Sequence, residues 1–141
     1  MKQVNKLLVG CCLTMAGFAA QAAELQVQLE GVKHDKGVVK VGLYRDAATF
    51  RKENQAFQTL QAPAKAGTVT IKFANIPTGQ YAIMAYHDED GNGEMNRRLG
   101  MFPTEGYALS NNPKVMGPPA FADSAFKVDT PRQQIVLKMN Y

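Results

Sequence analysis

One stretch of the chain is unusually dense in oxygen-bearing side chains: "YHDEDGNGEMNRRLG" at residues 86–100. Asp88, Asp90 and Asn92 stand at alternate positions and Gly93 follows, which matches positions one, three, five and six of a calcium-binding loop. In such a loop the alternate side chains converge on the ion, and the glycine permits a sharp turn. The spacing therefore predicts a site for a hard divalent cation.

The remaining ligands of this predicted site lie farther along the chain. Glu94 can offer its main-chain carbonyl, and Asn96 can offer a side-chain or water-mediated contact. Position twelve, which holds a bidentate glutamate in an EF-hand, is Leu99, and the residues before the loop have the pattern of a strand. The loop is therefore not an EF-hand, and Glu105 in "PTEGY" is the nearest carboxylate that can close the shell.

Two alternatives to a calcium site stay open. Asp-Gly and Asn-Gly pairs are also strong signals for an ion-free tight turn. A small metal-assisted hydrolase that uses Asp88, Asp90 and Glu105 is the other alternative.

No catalytic residue is identified, because Ser110 lacks the flanking glycines of a nucleophile elbow. We interpret the chain as a non-enzymatic binding or structural module with a calcium-type loop at residues 88–96.

Residues after the loop are candidates for binding a ligand. Arg97 and Arg98 either neutralise the acidic loop or hold an anion in an arginine fork. Tyr107, with Phe102 and Phe121, either faces a sugar or peptide or packs its segment onto the fold. The ligand-binding candidates are Arg97, Arg98, Tyr107, Ser110 and Asn111.

The N-terminus has the character of a secretory signal peptide. Lys2 and Lys6 precede an apolar run over residues 7–20, and small residues follow. The run is about 14 residues long, shorter than the roughly 20 that span a bilayer as a helix. We therefore predict a signal peptide at residues 1–23, a single domain at residues 24–141, and a periplasmic or secreted bacterial protein.

The exported chain is expected to begin at Ala23 or Glu24. The alternative is a lipoprotein, because "LVGC" resembles the box before a lipidated cysteine, but this box would leave only four apolar residues between Lys6 and Cys11. Mass spectrometry of the exported chain distinguishes the two. A lipidated Cys11 at the start of the chain would contradict the prediction.

Composition limits the partners. Both cysteines, Cys11 and Cys12, lie in the predicted signal, so the mature chain has no disulfide or thiolate ligand. Removing Lys2 and Lys6 from the 16 basic residues, against 12 acidic ones, leaves a charge of 16 − 2 − 12 = +2. This charge, with no basic and aromatic clusters, disfavours nucleic acid. We expect a small-molecule, glycan or protein ligand and no transmembrane segment.

Apolar and polar residues alternate in four stretches, which is the signature of half-buried strands. The stretches are "ELQVQLEGV", "GVVKVGLYR", "GTVTIKFANI" and "QQIVLKM". Residues 81–86 are more uniformly apolar and are predicted to form a central strand. The fold class is therefore all-β, an antiparallel β-sandwich of the immunoglobulin or transthyretin type, with a small barrel as the alternative. The predicted inner residues are Val27, Leu29, Val41, Leu43, Val69, Ile71, Phe73, Ile83, Ile135 and Leu137.

Two segments lack strand alternation. Residues 46–57, "DAATFRKENQAF", predict a short helix with Asp46 as its N-cap. Residues 97–121 hold four of the seven prolines, but their apolar and aromatic content argues against disorder. We expect a long ordered loop over one end of the sandwich. The polar turn "KHDKG" is expected to leave His34 in solvent.

Three long motifs resemble the DUF2141 family, which comprises exported bacterial domains of unknown function. They are "GQYAIMAYHDEDGNGEMN", "LGMFPTEGYALSNN" and "GPPAFADSAF", and the resemblance covers residues 25–141. It implies a strand that ends in an acidic loop, followed by a Pro-x-Glu-Gly-Tyr turn. Ala108 and Leu109 replace the glycine and phenylalanine common in the family. "PTGQYAIMAYHD" is also similar to a strand of transthyretin-like and Cna-B-like sandwiches, at the level of the fold only.

Overall fold

The computed structural model describes Gly17 and residues 22–141. The strands are β1 Ala23–Val32, β2 Val38–Tyr44, β3 Gln58–Pro63, β4 Gly67–Ile76, β5 Gly79–Asp88, β6 Arg97–Arg98, β7 Phe102–Pro103, β8 Tyr107–Leu109, β9 Phe126–Val128 and β10 Arg132–Lys138. One α-helix, α1, covers Phe121–Ser124. The cleavage region of the predicted signal and the lipoprotein alternative fall mainly on residues outside this description and stay predictions. Within the described residues, no helix has the length and hydropathy to cross a membrane.

The first sheet has the order β10-β1-β4. Val27 in β1 lies opposite Ile71 in antiparallel β4 and opposite Ile135 in parallel β10. The three side chains form one row across the inner face of the sheet. The parallel pair departs from a purely antiparallel arrangement, because β1 and β10 are far apart in the sequence and no hairpin fixes their relative direction.

The second sheet has the order β3-β2-β5-β8, and β9 also pairs with β5. Strand β5 therefore lies between β2 and β8, as predicted for a central strand. Tyr81 to Tyr86 are buried except for half-buried Met84. This burial on both faces explains the near-continuous apolar run.

The core lies between the two sheets. Nine of the ten predicted inner residues are buried, and Ile135 is partly buried against them. A second cluster covers the outer face of β5, where Tyr44, Phe50, Ala82 and Leu109 are buried together. The prediction of an all-β sandwich is confirmed.

The helical segment predicted over residues 46–57 is shorter than expected. Asp46 Oδ1 accepts the Thr49 N–H at 2.9 Å, so it caps a turn, and Arg51 then has φ 71°. Only Glu53–Gln55 is helical, as a single 3-10 turn. The left-handed backbone at Arg51 interrupts right-handed helix growth from Asp46.

Residues 97–121 are ordered as predicted but contain strands that the sequence did not indicate. Strands β6 and β7 form a small hairpin, and β8 pairs with β5. Tyr107 and Phe121 pack against the second cluster, in line with a packing role. Phe102, expected to help hold this segment, is 59% exposed, and the other residues of the two hairpin strands are exposed as well.

Candidate metal centre

The acidic loop begins where β5 ends. Asp88 is the last residue of β5, lies opposite Val38 of β2, and is 1% exposed. Gly91 and Gly93 then have φ values of 70° and 83°, a left-handed conformation that glycine adopts without a Cβ penalty. The two glycines reverse the chain, so that Asn96 returns close to the end of the strand.

Glu105, the distant carboxylate that the sequence offers as a further ligand, contacts both ends of the loop. Its Oε1 accepts the Glu89 N–H at 3.0 Å, and its Oε2 accepts the Asn96 N–H at 2.9 Å. Glu105 is only 5% exposed. One ligand oxygen from each of Asp88, Asp90 and Glu105 lies within 4.8 Å of the others. The structure therefore brings three predicted carboxylate ligands into one cluster.

The asparagines form the rim of this cluster. Asn96 Nδ2 donates to Asp90 Oδ2 at 2.7 Å, and the Asn92 N–H donates to Asp90 Oδ1 at 3.1 Å. The hydrogen bond from Asn96 is the main reason that the pKa of Asp90 lies below its ordinary value, and the hydrogen bond from Asn92 adds to the effect. Asn92 Oδ1 accepts the Glu94 N–H at 2.9 Å, while the Glu94 side chain is exposed. Asp90 is therefore ionised at neutral pH.

Asp88 has one oxygen without a partner. Its Oδ2 accepts the Gly93 N–H at 2.9 Å, but its buried Oδ1 has no hydrogen-bond donor. Among the ion pairs of residues 22–141, none joins a lysine or arginine to Asp88, Asp90 or Glu105 within 4.0 Å. Buried carboxylates are normally paired, hydrogen-bonded or bound to a metal. Asp88 is therefore a candidate cation ligand.

The far side of the loop is tied to the second sheet. The Gly93 carbonyl accepts from Lys40 Nζ and from Tyr86 Oη, each at 3.1 Å. Lys40 also pairs with Glu53 at 3.1 Å. Burial, followed by the hydrogen bond to Glu53, raises the pKa of Tyr86, so its hydroxyl stays protonated and shares its one proton between Glu53 Oε2 and the Gly93 carbonyl. The loop is thus held in place at both ends and at its tip.

Two adjoining cavities of about 360 and 610 Å³ lie beside the loop. Both are lined by Arg51, Met84, Met95 and Arg97, and Tyr107 lines the larger one. Neither guanidinium has an acidic side chain within 4.0 Å in the described part of the chain. The rest of the larger cavity is mainly apolar and includes Met101, Phe102, Val115, Met116, Pro118 and Pro119. Two ligand candidates, Arg97 and Tyr107, therefore face one groove.

The other ligand candidates lie elsewhere. Ser110 is fully buried; its Oγ accepts the Ile83 N–H at 2.9 Å and donates to the Ser124 carbonyl. Asn111 donates to two main-chain carbonyls at the end of α1. Arg98 lies opposite Phe102 in the exposed hairpin. Ser110 and Asn111 thus join β5 and β8 to α1, away from the residues that line the groove.

A third group of polar residues was missed by sequence reasoning. His34, expected in solvent, has its Nε2 3.0 Å from Glu89 Oε1, and its ring centroid lies 4.7 Å from that of His87. His87 is wholly buried. The pairing of β2 with β5 brings the two histidines together across 53 positions of sequence. The one available signal was that the chain contains only two histidines, each next to acidic residues.

Comparison with known proteins places the chain in a family. No match was found among curated proteins or among solved structures. The model of DUF2141, described as an uncharacterized protein conserved in bacteria, matches residues 27–136. This range covers most of the chain and includes the whole acidic loop and Glu105. The chain therefore belongs to the DUF2141 family.

Proposed function

We propose that the protein is an exported, non-enzymatic binding domain whose loop at residues 88–96 holds a calcium ion together with Glu105. The observation that carries this proposal is the buried, partnerless Oδ1 of Asp88 beside the carboxylates of Asp90 and Glu105. Without a cation, the carboxylates of Asp88, Asp90 and Glu105 lie within 4.8 Å of one another and repel each other. A divalent ion removes this repulsion and supplies the missing partner of Asp88.

Calcium is the cation that best suits these donors. The cluster offers oxygen ligands only, and calcium takes about six to eight oxygens in a flexible geometry, whereas magnesium demands a near-ideal octahedron. Main-chain carbonyls, the amides of Asn92 and Asn96, and water can complete the shell. Extracellular modules bind calcium with Kd values of about 10⁻⁴–10⁻³ M. Such a site suits the periplasm or medium, to which the N-terminal signal pattern points.

The ion also supports the proposed binding surface. Met95 and Arg97 follow the loop and line the adjoining groove, so ordering the loop fixes one wall of that groove. The groove suits a small molecule, glycan or protein segment with an apolar part over the methionines and an anionic group at Arg51 and Arg97.

A metal-assisted hydrolase would use the same carboxylates, and the hydrogen bonds favour binding over catalysis. Both oxygens of Glu105 accept backbone N–H groups, and Asp88 Oδ2 accepts a third. A carboxylate whose oxygens accept main-chain N–H groups is held against the loop backbone, and this fixed position suits an ion ligand better than a proton carrier. We therefore assign these residues to ion binding.

Calcium should raise the melting temperature of the mature chain. Ten times the Kd of calcium should add about 1.4 kcal/mol to the free energy of unfolding, which corresponds to several degrees. Asp88→Ala and Asp90→Ala should lose this response. Asp46→Ala is the matched control and should keep it, because Asp46 caps an exposed turn outside the loop. A melting temperature that is the same in millimolar calcium and in chelator would contradict the proposal.

A further inference from the structure

A second cluster of metal-ligating side chains lies directly beside the acidic loop. His34 Nε2 is 3.0 Å from Glu89 Oε1, His87 Nδ1 is 4.0 Å from the same oxygen, and the three ligand atoms lie within 4.8 Å of one another. We propose that His34, His87 and Glu89 form a zinc-type site. Its ligands are distinct from the proposed calcium ligands, although Glu89 itself lies in the loop at residues 88–96.

The hydrogen bonds of His87 fix which nitrogen can bind an ion. His87 Nε2 is 2.6 Å from the Lys36 carbonyl, which can only accept, so Nε2 carries the proton. The lone pair is then on Nδ1, which faces Glu89 and accepts from Tyr141 Oη at 2.8 Å. Metal-binding histidines almost always donate their other ring N–H to a carbonyl or carboxylate in this way. An ion at Nδ1 replaces one hydrogen bond, that of Tyr141.

His34 and Glu89 provide the adjustable side of the site. Their side chains are 32% and 28% exposed, whereas that of His87 is fully buried. His34 Nδ1 accepts the Lys36 N–H at 3.2 Å in an exposed turn. When Nε2 binds an ion, the proton moves to Nδ1 and water takes over the Lys36 N–H. This exchange costs little, because the bond is exposed to solvent.

The distances are close to those that zinc requires. Ligands about 2.0–2.1 Å from a tetrahedral zinc lie roughly 3.3 Å from each other. The two His–Glu separations of 3.0 and 4.0 Å are within about 1 Å of this value, and the two imidazole nitrogens lie within 4.8 Å of each other. Shifts of up to about 1.5 Å on the exposed side, at His34 and Glu89, complete the tetrahedral arrangement. Solvent access beside His34 leaves a position for water, as in zinc sites with three protein ligands.

Two glycines make this corner of the fold compact. Gly37 has φ +72°, and a Cβ there would overlap the carbonyl of Asp88. A Cβ at Gly106 would overlap the ring of Tyr141, which packs edge-on against His87. The close approach of the 33–37 turn to the end of β5 therefore positions His34 against His87 and Glu89.

The ligand chemistry separates this site from the calcium loop. Two imidazoles and one carboxylate suit zinc and other first-row transition metals, whereas calcium prefers oxygen ligands alone. The two clusters share no side chain. Each ion should therefore be removable without loss of the other.

Zinc titration of the tag-free mature chain by calorimetry tests the proposal. We expect one zinc per chain, and a cobalt(II) complex with the visible absorption of a four-coordinate site. Loss of a supporting residue around a metal typically costs about 10–100-fold in affinity, so His34→Ala and Glu89→Gln, which remove ligands, should each weaken zinc binding at least about 10-fold. Both variants should keep the response of the melting temperature to calcium.

Asp90→Ala provides the reciprocal control, because it should abolish the calcium response and leave zinc affinity unchanged. The proposal is overturned if the wild-type chain does not bind zinc, or if zinc affinity survives both His34→Ala and Glu89→Gln. Loss of zinc binding in Asp90→Ala would overturn it as well, since zinc would then occupy the acidic loop. A protein whose melting temperature does not respond to calcium but which still binds zinc would support the zinc site and contradict the proposed calcium site.

Discussion

Phe73→Ala should lower the free energy of unfolding by about 3–5 kcal/mol. Phe73 lies in the middle of β4, pairs with Leu25, and is wholly buried between the sheets. Truncation removes apolar contacts and leaves a cavity that the surrounding strands cannot fill completely. For a domain of this size, about 4 °C per kcal/mol corresponds to a fall of roughly 12–20 °C in melting temperature. Chemical denaturation with thermal melting measures both quantities.

Lys72→Ala is the matched control on the same strand. Lys72 points to the opposite face, and its pair with Glu24, at 4.0 Å, is largely exposed. Exposed pairs contribute about 0–1 kcal/mol, so this variant should melt within a few degrees of the wild type. Equal effects of the two substitutions would show that the alternation along β4 does not decide which face is buried.

The strands that enclose the core are predictable because burial of one face imposes a period of two. Val27 and Ile71 alternate with polar neighbours and lie opposite each other in the structure. Strand β3 was missed because it is an edge strand with little buried surface, so residues such as Thr59 and Gln61 carry no alternation. Strand β8 was missed because three residues, Tyr107–Leu109, are too few to show a period.

The site is predictable only where its residues are adjacent in sequence. Asp88 and Asp90 could be predicted as ligands from their spacing, and Glu105 was chosen as the nearest carboxylate beyond the loop. The partnerless Oδ1 of Asp88 could not be foreseen, because it depends on which donors the folded chain supplies. The contact of His34 with Glu89 likewise depends on the register of β2 against β5, and no local pattern encodes that register.

Without calcium, the Asp88→Asn variant should be more stable than the wild type. With calcium bound, it should be less stable than the wild type. The asparagine keeps an oxygen to accept the Gly93 N–H. In place of the partnerless Oδ1 it offers an amide N–H group, which can donate to the carboxylate of Asp90 or Glu105. The substitution also removes one of three clustered negative charges. A hydrogen bond to a charged group contributes roughly 1.5–3 kcal/mol, so a net gain of about 1 kcal/mol is expected in chelator.

In calcium at about 100 times its Kd the order should reverse. The wild type gains about 2.7 kcal/mol from the bound ion, whereas the variant, which lacks a ligand charge, gains little. Melting curves of both proteins in chelator and in calcium measure the crossing. Asp46→Asn is the isosteric control. Its melting temperature should differ from that of the wild type by the same amount in chelator and in calcium, because the Asp46 carboxylate only caps a turn. If Asp88→Asn melted below the wild type by the same margin in both conditions, Asp88 would be a structural hydrogen-bond acceptor, and the loop would be a tight turn that needs no cation.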